Sequence, residues 1–379
     1  MRGRVLAIDG DIAVVRGERR DARLTARPGW KPGDLVDDER VVRAWTGGDY
    51  PAPGSEVMRL PRERLEWVRE RARVLRELRA FFERRGFIEI ETPLLVPSPG
   101  LEIHLDAVRA GDGYLITSPE YQMKRLLAGG LERIFQVCKC FRANERGAHH
   151  SSEFTMVEWY RAYESLDAIA DDVEQLVQAA CGATARVGGR EIAVTAPWAK
   201  VAVGDAMRDW AGVTVSGDES ATALAAKVRA AGIDLADGLP WDDAFFTAFV
   251  ARVEPKLAQL EHALFLVDWP APLAALARRK PDAPATALRF EAYVGGIELA
   301  NAFDELTDPA EQRARFEAEQ RDRAARGKPV YPIDAKLLAA LGEGLPPSAG
   351  IALGFDRLVM LATGAPTIDG VLSFAGDEL

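Results

Sequence analysis

Three cysteines in 379 residues are too few for a disulfide framework. Cys138 and Cys140 stand two apart on one face of a predicted strand, without the further ligands a zinc site needs, and read as small buried hydrophobes. No apolar run reaches the length that spans a bilayer. The opening Met-Arg-Gly-Arg-Val-Leu-Ala-Ile-Asp-Gly lacks the long apolar core of a signal peptide. Positive charge is also scarce: 48 Lys and Arg against 58 Asp and Glu leave a net charge of −10, whereas a protein that grips a large nucleic acid shows a basic balance. Internal repeats and low-complexity segments are absent. Together these absences disfavour a secreted scaffold, a membrane span and a nucleic-acid clamp, and predict a reduced cytoplasmic protein. With 48% apolar and 28% charged residues, the chain can bury a sizeable core.

Residues 1–58 read as a small β-rich, barrel-like domain and linker. Short runs around Val5, Ile12, Val14 and Val36 are broken by Asp9-Gly10-Asp11, Pro28-Gly29 and Pro32-Gly33-Asp34, and Pro51-Ala52-Pro53-Gly54 ends the segment. Residues 59–379 read as a second, larger domain. Pro61 opens a helix with Leu65, Val68, Leu75, Leu78 and Phe82 at helical spacing, and Gly86 stops it. A strand over Phe87–Thr92 follows. The pattern of residues 165–280 is mostly helical, and the final third returns to strands around a helix from Pro309 to Arg326. Strands, then inserted helices, then strands again predict an α+β fold on an antiparallel sheet flanked by helices.

Four constellations stand out. At 348–361 an apolar strand runs into Gly354, and Arg357 falls in the first turn of the following helix, where a guanidinium and free backbone N–H groups suit a triphosphate. Across residues 134–160 a predicted hairpin puts Gln136, Cys138, Cys140 and Arg142 on one face, and Phe154, Met156, Glu158 and Tyr160 on one face of the returning strand. A cation, a flat ring, a carboxylate and a phenol make poor core but a good nucleotide surface. Glu291 and Glu298 flank a Gly295-Gly296 turn, and two carboxylates that close call for a cation such as Mg²⁺. Ser118-Pro119-Glu120 reads as a helix start, with Ser118 as N-cap.

In this order the segments Phe141-Arg142…Glu153–Tyr160, Glu298–Glu305 and 348–361 resemble the catalytic core of class II aminoacyl-tRNA synthetases, in particular the lysine branch. The resemblance covers residues 61–379. It implies ATP as substrate and Mg²⁺ on Glu291 and Glu298. Arg142 and Arg357 would be catalytic on the phosphates, and Glu145, His150, Ser151, Phe154, Glu298, Leu299 and Gly354 would complete the ATP site. Ser118, Glu120, Glu158, Tyr160, Asn301, Phe303, Glu305 and Ala352 would face the amino acid, with Glu120 neutralising an ammonium and Glu305 capping the distal one. The family's Glu two residues after the arginine is Asn144 here, with Glu145 one later; its His-Asn-Pro-Glu-Phe reads His150-Ser151-Ser152-Glu153-Phe154; and Ala302 replaces a glycine.

Sixty leading residues are too few for an anticodon-binding module. A truncated lysine-type core, with Pro99–Leu105, Glu158-Trp159-Tyr160-Arg161 and Ala324-Ala325-Arg326-Gly327, resembles the elongation factor P–(R)-β-lysine ligases. That implies activation of (R)-β-lysine as an adenylate and its transfer to a lysine ε-amine of elongation factor P. It further implies a homodimer through the helix and strand ending at Pro93, without tRNA or membrane. Ala352 stands where lysyl-tRNA synthetases carry glycine, and one methyl in a closed pocket discriminates substrates by about 1–3 kcal/mol. Two rival readings are a minimal lysyl-tRNA synthetase-like enzyme charging RNA with α-lysine and a non-catalytic regulator. The first finds weak footing in the 11 Lys/Arg against 10 Asp/Glu of residues 1–60. The second would lack the arginines and carboxylates present here.

Overall fold

The computed structural model describes residues 1–379, the side chain of Asp377 apart. It divides into two compact units, Met1–Arg69 and Glu70–Leu379. The first carries five antiparallel strands, β1 (Arg2–Asp9), β2 (Ile12–Arg16), β3 (Asp21–Thr25), β4 (Leu35–Asp37) and β5 (Arg40–Arg43), in the order β3-β2-β1-β4-β5. Alternation along them turns Val5, Ala13, Val15 and Val36 inward around Trp30. The ladder ends on β3 and β5, which do not pair with each other, so the sheet is not closed into a hydrogen-bonded barrel.

The second unit is built on an eight-stranded sheet. In chain order its strands are β6 (Ile88–Glu89), β7 (Arg133–Phe141), β8 (Glu153–Ala162), β9 (Ala199–Ala202), β10 (Leu264–Pro270), β11 (Thr286–Val294), β12 (Ile297–Asp304) and β13 (Ser348–Gly354). In space they run β9-β10-β11-β12-β13-β8-β7-β6. Only the outermost pairs, β9 with β10 and β6 with β7, are parallel. The predicted strand over 87–92 shortens to Ile88–Glu89: Ile90 still donates to the Phe135 carbonyl, and the chain then leaves the sheet ahead of Pro93.

Helix α1 (Arg62–Arg84) ends as its sequence dictates, with Gly86 at φ 72°. Its Phe82 stacks on Phe135 at 4.4 Å and meets Trp159 at 5.2 Å, fixing the helix to β7 and β8. Helix α2 (Glu120–Ala128) comes next, and α3 (Leu166–Cys181) buries Ile169, Val173 and Val177. Residues 184–270 depart from the helical expectation. Thr184–Val187 and Arg190–Ala193 form a hairpin, and β9 and β10 extend the main sheet. Both hairpin glycines, Gly188 and Gly189, have positive φ, the geometry of a two-residue turn that a Gly-Gly dipeptide announces. Helices do occur within residues 203–257, including α4 (Ala221–Ala230) and α5 (Trp241–Ala248), around Phe245, Phe249 and Trp269. Then come α6 (Pro309–Ala325), capped by Asp308, α7 (Ala335–Gly344) and α8 (Phe355–Thr363). Tyr121, Met123 and Leu127 of α2 pack with Phe316 of α6 and Leu337, Leu338 and Leu341 of α7. No described helix is long and apolar enough to cross a membrane.

Candidate active site

Register along the central strands lays the site out. Asn301, Ala352, Glu158 and Gln136 are paired in a row across β12, β13, β8 and β7; Phe303, Gly350, Tyr160 and Ile134 form the next row. Directly paired residues share a face, so the small residues of β13 make a trough between larger groups. Gly350 is small by necessity, because a Cβ there would lie 2.2 Å from Tyr160 Cε1 and 2.4 Å from Glu305 Oε1. Over this trough opens a cavity of about 1020 Å³, in the size range of small-molecule sites.

At one end Arg357 projects from the start of α8. Its Nη1 donates to the Glu298 carbonyl at 2.6 Å, its Nε to the His149 carbonyl at 3.2 Å, and its Nη2 meets His150 Nε2 at 2.8 Å. His150 must accept there, and burial together with Arg357 lowers its pKa, so the ring is neutral with its proton on Nδ1. Asp356, one residue earlier, is buried and accepts from Thr155 N at 2.7 Å and Arg71 at 2.5 Å, locking α8 to β8. Arg142 lies over the Phe154 ring at 5.1 Å and 3.8 Å from Glu145; its enclosed Nε has no hydrogen-bond partner. Ser151, Leu299 and Gly354 line the same part of the cavity.

At the other end stand the carboxylates. Ser118 is not the N-cap; Pro119 is, and α2 begins at Glu120. Ser118 Oγ accepts from Glu120 N at 3.1 Å and donates to Glu158 at 2.6 Å. Tyr160 also donates to Glu158, at 3.2 Å, and burial pushes the Glu158 carboxyl well above the usual range. Lys124, which the sequence reading passed over, is decisive here. Its Nζ sits 2.6 Å from Glu120 Oε1 and 2.6 Å from Glu305 Oε2, with all three side chains buried. Two carboxylates hold the Lys124 ammonium charged, while burial and Glu120 push Glu305 up. Glu305 Oε1 remains enclosed and unpartnered. Spacing i to i+4 on one helix was the available signal for the Glu120–Lys124 pair.

All but one of the sequence-predicted side chains reach this cavity. Glu291 does not line it. A bulge between Ala292 and Tyr293 sets Glu291 against Asn301, and its carboxylate accepts from Arg289 at 2.5 Å and Tyr293 at 2.7 Å. It is therefore not the free ligand that the hairpin suggested. The pair still fits a divalent cation. Burial and the nearby Glu298 raise Glu291 to about 7, a repulsion that a hard cation relieves, and Glu298 is half-exposed to the cavity. Asn301 Oδ1 accepts from Arg289 at 3.1 Å. Cys138 and Cys140 do share a face, with sulfurs 3.9 Å apart, and only Cys140 is fully buried.

Residues 56–378 match the pattern of the class II tRNA synthetases for D, K and N. The chain is 40% identical over 321 residues to the elongation factor P–(R)-β-lysine ligase of Erwinia tasmaniensis, covering 82% of this chain and 94% of that one. It is 40% identical over 322 residues to the ligase of the same name from Klebsiella pneumoniae, with the same coverage. The Salmonella dublin ligase is 39% identical over 324 residues. The chain belongs to this family. It is a ligase with a class II synthetase-like α+β domain and an N-terminal β-rich region, whose first 55 residues lie outside the family pattern.

Proposed function

We propose that this ligase activates (R)-β-lysine with ATP and passes it to a lysine ε-amine of elongation factor P. What carries the reading is one cavity with arginines at one end and a lysine-bridged pair of carboxylates at the other. That polarity suits a molecule with a polyphosphate on one side and an ammonium on the other.

In the first step a carboxylate oxygen of the amino acid attacks the α-phosphorus of ATP, a P–O bond forms, and pyrophosphate leaves. Arg142 bridges the two anions and offsets their repulsion, while Arg357 takes charge on the departing phosphates. Phe154 offers a face to adenine. Glu145, His150, Ser151, Leu299 and Gly354 shape the nucleotide end. Glu291 and Glu298 would hold Mg²⁺, which neutralises phosphate charge when bound. In the second step the acceptor amine attacks the carbonyl carbon, the C–N bond forms, the C–O bond to AMP breaks, and the amine proton is lost to solvent. Glu305 Oε1 receives the distal ammonium, Phe303 packs on the stem, and Ser118, Glu120, Glu158, Tyr160, Asn301 and Ala352 set the amino-acid end.

The reading places the enzyme in the cytoplasm, acting on a protein rather than on tRNA or a membrane, as a homodimer. Supporting the dimer, Ile88, Leu94 and Leu95 are 51%, 38% and 55% exposed around the edge strand β6. The test is amino-acid-dependent pyrophosphate exchange. Arg142→Ala should lower its rate on the order of 10²–10³-fold with the unfolding midpoint unchanged. Near-normal exchange in that variant would refute the placement of the phosphates.

A further inference from the structure

Three sulfurs converge on one face of the β7–β8 ladder. Cys138 pairs directly with Met156 and Cys140 with Phe154, in a register that runs without a bulge from the Arg133–Arg161 pair to the Phe141–Glu153 pair. Directly paired residues share a face, and so do residues two apart on one strand, so Cys138, Cys140 and Met156 occupy one patch. Cys140 Sγ lies 3.9 Å from Cys138 Sγ and 3.9 Å from Met156 Sδ. Val96 and Ile116 line the patch with apolar surface, and Cys140 and Met156 are buried within it. Cys138 is only partly buried, which gives the patch an entry from one side.

The donor set decides what such a patch can take. Thiolate and thioether sulfur are soft ligands, which select a soft monovalent cation over Mg²⁺ or Ca²⁺. Zinc asks for four ligands in a tetrahedron, and this patch offers three. Three sulfurs at about 2.3 Å from one ion stand about 4.0 Å apart in a trigonal plane. Both separations already meet that spacing, so neither strand has to move. The unbroken ladder holds the ligands in place before any ion arrives. The hydrogen bond between the two thiols lowers the pKa of Cys138, and the Gln136 side chain acts in the same sense. That bond and burial raise Cys140 well above the usual thiol range, so Cys138 is the first of the two to become a thiolate.

We propose that Cys138, Cys140 and Met156 form a binding site for one soft monovalent cation of the Cu(I) class. Binding releases the two thiol protons to solvent, forms two metal–thiolate bonds and one metal–thioether bond, and transfers no electron. The site is distinct from the oxygen ligands Glu291 and Glu298, and it does not depend on the adenylate reading. Met156 and Phe154 also line the cavity, which puts the bound ion beside its nucleotide end.

The test titrates reduced, metal-free, full-length protein with Cu(I) under anaerobic conditions against the chelator bicinchoninate, with X-ray absorption at the copper edge. Wild type should take up one equivalent, held by three sulfurs at about 2.3 Å. Cys138→Ser and Cys140→Ser should each weaken uptake about 100-fold or more. Met156→Leu should weaken it about tenfold and reduce the shell to two sulfurs. Cys181→Ser, at the third cysteine of the chain, should bind as wild type does. No uptake by wild type, uptake that survives Cys138→Ser or Cys140→Ser, or an unchanged shell in Met156→Leu overturns the assignment. Should Cys140→Ser not fold, Cys140→Ala and Cys138→Ala are read by the same criteria.

Discussion

Ala352 stands in register between Asn301 and Glu158, so its methyl forms the floor of the trough on which the amino acid would rest. On the reading proposed above, replacing it by glycine would open one methyl of space beside the amine nearer the carboxylate. Ala352→Gly should keep adenylate formation and shift kcat/KM toward α-lysine relative to β-lysine by about tenfold or more. Glu305→Gln should weaken both isomers together, because both possess the distal ammonium that Oε1 is free to accept. An unchanged isomer ratio in Ala352→Gly would leave position 352 a packing residue. At this scale all but one of the site residues named from the sequence line the cavity, because carboxylates and arginines at fixed strand spacing betray themselves. It did not name Lys124 as a bridge, since a lysine in a helix ordinarily reads as solvated. Nor did it show that Arg289 and Tyr293 hold Glu291, since a bulge cannot be read from alternation alone.

Among the elements, α3 is tied to the sheet by a buried polar knot. Asp172 accepts from Arg161 through two bonds of 2.7 and 2.8 Å and from Trp159 Nε1 at 3.1 Å, on the strand that carries Glu158 and Tyr160. Arg161 has a raised pKa for the same reason, its partnership with Asp172 outweighing burial. Asp172→Ala leaves the buried Arg161 guanidinium with Glu164 as its remaining carboxylate partner and should cost about 3 kcal/mol of stability in urea unfolding. A loss below about 1 kcal/mol would mean that the knot is solvated and worth no more than a surface pair. Long elements were legible: α1 and its Gly86 stop, the β7–β8 and β11–β12 hairpins, and the helix from Pro309 all fall where periodicity and turn residues put them. The short strands of residues 184–202 were not, because four-residue runs lack enough repeats to distinguish a period of two from 3.6. Their Gly188-Gly189 turn was the overlooked sign.

On the scale of the whole molecule, the α+β sheet is the part that binary pattern announces and family likeness secures. An open ladder in place of the barrel-like closure of residues 1–58 is a matter of edge pairing, which sequence alternation does not encode. Exposed apolar side chains at Ile88, Leu94 and Leu95 predict self-association through one patch meeting its own copy. Sedimentation at micromolar concentration should give a dimer, and Ile88→Asp with Leu95→Asp a monomer; a wild-type monomer would contradict the assembly alone. The central claim concerns what the ligase joins. The most direct measurement is the intact mass of elongation factor P after incubation with this enzyme, ATP and either lysine isomer. The account predicts a gain of one lysyl residue on a lysine side chain, faster with (R)-β-lysine, and no aminoacylated tRNA in a parallel reaction. An unmodified elongation factor P beside efficiently charged tRNA would contradict it.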